Sequence, residues 1–359
     1  MHIFWIGFPG LSGGANTECW HTAKMLRRNG VEITFLPTVK ADSLDDLPKL
    51  PRQRLESIGC KIRLVKEDHL ADVPGLKGSV VVSMCNEFFI RQSHHFRQLG
   101  CPVVWVNCMT FLFPSEVQHY RQFGTYDAYV MQSDWQRQRI EPALQKYGHD
   151  RKGTWMIRGA FDLEEFPYKP KPHKPEDPFV IGRLARHDAD KWSSMLWDYC
   201  GAIKKKLPCP LKARLMAWAK PLEKKCGKVP DYAETLESCQ EASDAFLQSL
   251  HAVVAWNGGA GENWPRTGLE AMATGVPLVV QNKWGWREMI RHNDTGFLCE
   301  DKPGDVADIV RELAINEDYR LSICESARKQ AERFASDEEV WPKWREMLET
   351  LERKGRAAA

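Results

Sequence analysis

The stretch that decides the fold runs Glu262-Asn-Trp-Pro-Arg-Thr-Gly-Leu-Glu270-Ala-Met-Ala-Thr-Gly275-Val-Pro277-Leu-Val-Val280. Pro265 suits the first turn of a helix, where its missing N–H is no loss. Gly275 followed by Pro277 stops that helix before the apolar run 276–280, which reads as a buried strand. Two carboxylates eight positions apart therefore bracket a helix start, with Glu262 on the preceding loop and Glu270 on the helix itself.

The loop feeding this helix is glycine-rich, Asn257-Gly-Gly-Ala-Gly261. A helix start offers N–H groups and the positive end of the macrodipole to a phosphate, and glycines let backbone approach it closely. Arg266 and Thr267 fall in the first turn. A carboxylate on the loop suits sugar hydroxyls, and one further into the helix suits a ribose, so the pair would bracket a diphosphate.

Outward from this point, short apolar strands alternate with amphipathic segments. Strands are expected at 3–6, 32–36, 61–64, 79–83, 103–106 and 128–131, and the pattern restarts at 179–182, 213–217, 252–256, 276–280 and 296–298. Such alternation predicts two α/β halves, each a parallel, doubly wound sheet. Between them Tyr168-Lys-Pro-Lys-Pro-His-Lys-Pro-Glu-Asp-Pro178 is proline-rich and charged, fitting neither helix nor central strand, and reads as a linker. The expected domains are 1–170, 171–336 and a terminal helix, 337–359, whose Val340, Trp341, Trp344, Met347 and Leu351 form one apolar stripe in need of a surface.

Composition bounds the function. With 359 residues, 43% hydrophobic and 27% charged, the chain has material for two full cores. A net charge of +2 gives no global basic field of the kind a dedicated nucleic-acid binder carries. Eleven cysteines without a Cys-x-x-Cys pair read as reduced core thiols. The N-terminus reads as a first strand and not as a signal peptide, and no apolar run has the length of a membrane span. These features predict a cytoplasmic protein whose membrane contact, if any, is peripheral.

The residues from Glu262 to Val280 resemble the Glu-x7-Glu signature of the family-4 glycosyltransferases, retaining enzymes with the GT-B fold, whose Glu-Ala-Met-Ala-x-Gly-x-Pro is matched almost word for word. The resemblance implies two Rossmann-like domains facing across a cleft, with the terminal helix crossing back to the first. It implies a donor, a UDP- or GDP-sugar, held on the second domain, and no separate cofactor. Glu270 would take the ribose, Arg266 and Thr267 the diphosphate, and Glu262 the sugar hydroxyls.

Three further stretches carry the resemblance. Ile181-Gly-Arg-Leu-Ala-Arg-His-Asp-Ala-Asp-Lys-Trp192 is similar to the family's Gly-Arg-Leu…Lys, with Arg183 and Lys191 as the matches at a longer spacing. Two such cations would neutralise a leaving diphosphate without a metal. Ser12-Gly13-Gly14-Ala15 resembles the loop that faces the donor diphosphate, with Gly13 and Gly14 as the matching positions. Met156-Ile-Arg-Gly-Ala-Phe-Asp-Leu-Glu-Glu-Phe166 resembles a motif at the domain junction.

One position departs from the family. After the strand at 103–106, where many members place a histidine near the transferred sugar, this chain has Asn107, and an amide is no general base at neutral pH. Glu87 and His94 are the nearby candidates for acceptor or sugar contact. The expected acceptor is a glycan or glycolipid. Sugar transfer to a hydroxymethylated pyrimidine in DNA is an alternative, with basic and aromatic stretches at 88–97 and 120–139 to touch it. A sugar-nucleotide-binding subunit without catalysis is the rival outside enzymology, motivated by Asn107.

Overall fold

The computed structural model describes residues 1–10, 13–65 and 67–358. They divide into two units, Met1–Phe161 together with Ser336–Ala359, and Asp162–Ala335. The division falls at Phe161/Asp162, ahead of the proline-rich stretch. That stretch is laid onto the second unit: Lys169 N–H donates to the Thr274 carbonyl, Lys171 Nζ to the Ser249 carbonyl, and His173 N–H to Glu317.

The first unit is built on seven strands, β1 (His2–Ile6), β2 (Glu32–Leu36), β3 (Lys61–Ile62), β4 (Val80–Met84), β5 (Val103–Val106), β6 (Ala128–Met131) and β7 (Thr154–Met156). They pair in the order β3-β2-β1-β4-β5-β6-β7, and all are parallel. Side chains alternate across the pleat. Ile3, Trp5, Val80, Val82, Val104 and Val106 enter one core, while Phe4, Ile6, Val81, Val103 and Trp105 enter the other. A sheet covered on both faces needs apolar residues at every position, which is why these strands read as continuous hydrophobic runs.

The terminal helix, Asp337–Ala358, belongs to this unit. Its Val340, Trp344, Met347, Leu348 and Leu351 are buried in the first core, and Trp341 packs against it partly exposed. Arg28 grips Asp337 at the helix start through two hydrogen bonds, at 2.9 and 2.5 Å, and Lys354 pairs with Asp127 near its end. The aromatic stripe is packing.

The second unit holds β8 (Phe179–Leu184), β9 (Leu211–Met216), β10 (Ala233–Leu236), β11 (Ala252–Ala255), β12 (Leu278–Gln281) and β13 (Phe297–Cys299), all parallel in the order β10-β9-β8-β11-β12-β13. Each sheet thus reverses direction beside its first strand, between β1 and β4 and between β8 and β11. Crevices at such switch points, beyond the carboxyl ends of the strands, are where open α/β sheets bind ligands.

All eleven cysteines are free, seven of them buried. Among the described residues no helix is long and apolar enough to cross a membrane.

Candidate functional site

In the second unit the switch point gathers residues from three segments. β8 ends at Arg183-Leu184, the short turn Ala189–Lys191 follows, and β11 runs into the glycine-rich loop from Asn257. The loop is seated by backbone bonds from the Gly258 and Ala260 N–H groups to the Asp190 carbonyl, at 2.9 and 3.0 Å. A side chain at Gly258 would overlap the Trp192 carbonyl oxygen, 2.1 Å from an ideal Cβ, so only glycine permits this approach.

Arg183 is 2% exposed. Its guanidinium donates to the carbonyls of Trp256 and Lys191 and, at 2.5 Å, to Asn257 Oδ1, and it stands 5.1 Å over the Trp192 ring. Burial pulls its pKa down to about 10, offset in part by the nearby Glu262 carboxylate, so it remains cationic at neutral pH. The sequence placed Arg183 against a leaving diphosphate. In the structure its terminal nitrogens are committed to protein acceptors and tie the two loops together.

Lys191 and Glu262 are in contact: Nζ lies 2.9 Å from Oε1, and both side chains keep less than a fifth of their surface exposed. Asn257 completes the arrangement. Its Nδ2 donates to the same Glu262 oxygen at 2.8 Å and to the Ala260 carbonyl at 2.8 Å. Glu262 Oε2 accepts from no described residue, and two of the three ammonium donors of Lys191 have no partner among the described residues. Together these leave one carboxylate oxygen for a hydroxyl and two cationic donors for an anion.

Helix Arg266–Thr274 begins at Pro265 without a side-chain cap and ends at Gly275, whose left-handed φ of 83° is the glycine C-cap that its position before Pro277 predicts. Gly268 lets the helix press on Trp286 and Met289, whose nearest atoms lie within 2.7 Å of an ideal Cβ. Arg266 is buried and Thr267 half-buried in the first turn. Glu270 is 6% exposed, and its carboxylate accepts a hydrogen bond from no described residue. Desolvation raises its pKa to about 7, against the pull of Arg266 and with a smaller push from Glu165. A buried carboxylate without a protein hydrogen bond is costly, and such groups collect at functional sites.

The first unit contains the other candidates. Gly13, with φ 97°, is the N-cap of helix Gly14–Arg28, while Leu11 and Ser12 lie outside the described residues. Asn107 is 1% exposed: its Oδ1 accepts from Met109 N–H at 2.8 Å, its carbonyl accepts from Gln136 at 2.7 Å, and its Nδ2 is buried without a partner. Glu87 is exposed on helix Glu87–Gln98 and pairs with Arg91 at 3.5 Å. His94 stacks on Phe123 with centroids 4.1 Å apart, and its pKa is lowered by burial. Neither is brought to Asn107 by any contact in the structure.

Glu18 is a residue that the sequence motifs do not single out. It is buried on helix Gly14–Arg28, receives the Gln132 amide, and lies 3.9 Å from the Cys108 thiol. Gly159 makes room for it, since an ideal Cβ there would come 2.5 Å from the Glu18 carboxyl carbon. Its signal in the sequence was a charged residue within a helix that otherwise begins with small and apolar groups.

Comparison with known proteins places these features. Residues 210–330 match the family described as glycosyl transferases group 1. An N-acetyl-alpha-D-glucosaminyl L-malate synthase of Bacillus anthracis is 43% identical over 75 residues, 20% of this chain and 19% of that protein. A GDP-mannose-dependent alpha-(1-6)-phosphatidylinositol monomannoside mannosyltransferase of Mycobacterium tuberculosis is 39% identical over 62 residues, 17% of this chain and 16% of its own length. The chain therefore spans less than a fifth of the curated relatives it matches.

Over the whole length the likeness is one of fold. The structure of Anabaena HepE with UDP and glucose aligns with a TM-score of 0.70 at 17% identity, covering 98% of this chain and 99% of that one. A Staphylococcus aureus TarM mutant in complex with Fondaparinux, alpha-GlcNAc-glycerol and UDP aligns at 0.77 with 11% identity, covering 97% and 99%. The fold is that of the GT-B glycosyltransferases. Asn257, Glu262, Arg266, Thr267 and Glu270 lie inside the matched family segment, and Arg183 and Lys191 outside it.

Proposed function

We propose that this chain, whose residues 210–330 match the family of glycosyl transferases group 1, is a glycosyltransferase that moves a sugar from a nucleoside diphosphate, UDP or GDP, to an acceptor hydroxyl. The observation that carries this reading is Glu270, a buried carboxylate without a hydrogen bond from any described residue, on a helix whose start has no side-chain cap among them. A ribose diol supplies the donors that such an acceptor lacks, and the helix start supplies N–H groups for the adjoining diphosphate. The relatives support the donor class, being named or crystallised with GDP-mannose and UDP.

In this reading the two uncommitted donors of Lys191 and the helix start near Arg266 and Thr267 receive the diphosphate. The Arg183 charge adds to the potential from beneath the loop. Stabilising the charge that grows on the leaving phosphate is the largest contribution such a site makes to rate. Two fixed cations suit transfer without a metal, and Glu262 Oε2 receives a hydroxyl of the sugar. Retention of configuration follows if the leaving phosphate itself takes the acceptor's proton, a route that leaves Asn107 with no proton to abstract.

For the acceptor, the relatives' names carry L-malate and phosphatidylinositol monomannoside. We take a small metabolite, glycan or glycolipid hydroxyl as the acceptor class and a cytoplasmic setting as its place. Nothing in the comparisons supports the modified-DNA acceptor.

Donor hydrolysis tests the proposal against a binding subunit without catalysis. Incubation with UDP-glucose, UDP-N-acetylglucosamine and GDP-mannose should release free nucleotide slowly from one of them, and Lys191→Ala should abolish the release. A protein that binds a donor tightly yet releases no nucleotide, with or without acceptor extracts, is the subunit and not the enzyme.

A further inference from the structure

We infer that Asn257 is the positioning residue for donor-sugar recognition: it orients Glu262 so that a single oxygen, Oε2, faces the sugar, and it couples that orientation to Arg183. This deepens the function proposed above and rests on it. Asn257 is 8% exposed, and both ends of its amide are used. Oδ1 accepts from Arg183 at 2.5 Å, and Nδ2 donates to Glu262 Oε1 and the Ala260 carbonyl, both at 2.8 Å. The neighbours fix which end is which, since a guanidinium only donates and a carboxylate only accepts.

The amide is itself held in place. Its backbone N–H donates to Gln281 Oε1 at 2.9 Å, and Gln281 Nε2 donates to Asp301 at 2.9 Å, where Trp256 Nε1 also donates at 3.1 Å. Gln281 and Asp301 stand just beyond or at the carboxyl ends of β12 and β13. The orientation of Glu262 is therefore set by residues reaching across the sheet from β8 to β13.

The consequence for specificity is geometric. With Oε1 saturated by Lys191 and Asn257, Glu262 cannot rotate freely, and its remaining oxygen selects a hydroxyl at one place. A buried hydrogen bond to a charged group carries discrimination because its loss leaves the charge unpaired. In the proposed site the nucleotide moiety is assigned to Glu270 and the helix start, so the loss expected at Asn257 falls on the sugar.

The test measures dissociation constants of UDP, UDP-glucose, GDP and GDP-mannose by calorimetry for wild type, Asn257→Ala and Asn257→Asp. The Asp variant keeps an acceptor for Arg183 and is nearly isosteric, so it covers the case in which the Ala variant does not fold. The readout is the affinity of the sugar nucleotide relative to its parent nucleotide. That ratio should fall about tenfold in Asn257→Ala and at least as far in Asn257→Asp, where an oxygen would face Glu262 in place of a donor. An unchanged ratio in both variants, whether affinities are intact or fall equally for nucleotide and sugar nucleotide, overturns the inference. Failure of the wild type to bind any of the four ligands instead removes the donor reading itself, and the inference with it.

Discussion

The Lys191 ammonium stands 2.9 Å from Glu262 Oε1, joining the turn after β8 to the loop before helix Arg266–Thr274. Neither residue is near the other in sequence, and each leaves part of its bonding capacity unused. Among the described residues one carboxylate oxygen and two ammonium donors have no protein partner, which leaves them free to meet a ligand.

This pair should behave as one unit in catalysis. Lys191→Ala and Glu262→Gln should each lower turnover by at least a hundredfold, and the double variant should lose far less than the product of the two, because groups acting together are not additive. Turnover rates of the four proteins decide this. Strictly multiplicative losses would mean that the two residues act separately.

Glu270 predicts a pH dependence of stability with a definite sign. Its pKa in the folded chain is raised from the ordinary carboxylate value to about 7. The folded state therefore holds a proton that the unfolded state has lost, and stability falls as pH rises from about 4.5 through 7. Glu270→Gln should remove that penalty, stabilising the protein by about 3 kcal/mol above pH 7.5 and hardly at all at pH 4.5. Urea melts of both proteins across this range provide the measurement. A variant less stable than wild type at pH 8 would contradict the buried, unbonded carboxylate.

Arg183 should prove structural as well as electrostatic. Arg183→Ala leaves two carbonyls and the Asn257 amide without their donor, at a cost of about 2 kcal/mol or more. Denaturant unfolding should show that loss alongside reduced turnover. Full stability with lost activity would return Arg183 to the role of a ligand to the diphosphate alone.

At Gly285 the constraint is steric. An ideal Cβ would come 1.5 Å from the Asn263 carbonyl oxygen, while the Gly285 N–H donates to the Glu262 carbonyl at 2.9 Å. Gly285→Ala should destabilise by about 2 to 3 kcal/mol and weaken sugar-nucleotide binding, because the segment must move and take Glu262 with it. Thermal melts and calorimetry on this one variant read both effects.

Much of this was legible in the sequence for physical reasons. A strand buried on both faces must be apolar throughout, which exposed β1, β4, β5, β11 and β12, and Pro265 and Gly275 marked the ends of the helix that carries Glu270. Two strands were missed, β7 and β10. β7 has three residues, and β10, Ala-Glu-Thr-Leu at the sheet edge, presents the half-exposed pattern of an irregular segment. Within the candidate site, Glu262 and Lys191 were singled out because charge beside a helix start and a strand end has a readable logic, and the structure brings the two into contact. Asn257 was not, since a neutral amide in a glycine-rich loop looks like turn chemistry until its partners from β8 and β12 are in place. The committed guanidinium of Arg183 was likewise invisible, because its acceptors are two backbone carbonyls and the Asn257 amide oxygen.

Ligand-dependent thermal stability tests the central claim, a nucleotide-sugar site around Glu262 and Glu270. UDP-, GDP-, ADP- and dTDP-sugars would each be added to wild type and to Glu270→Ala, a ligand at 100 times its dissociation constant giving about 2.7 kcal/mol of stabilisation. The account predicts a shift with a UDP- or GDP-sugar that disappears in the variant. A shift of equal size in both proteins, or no shift with any of the four, would contradict it.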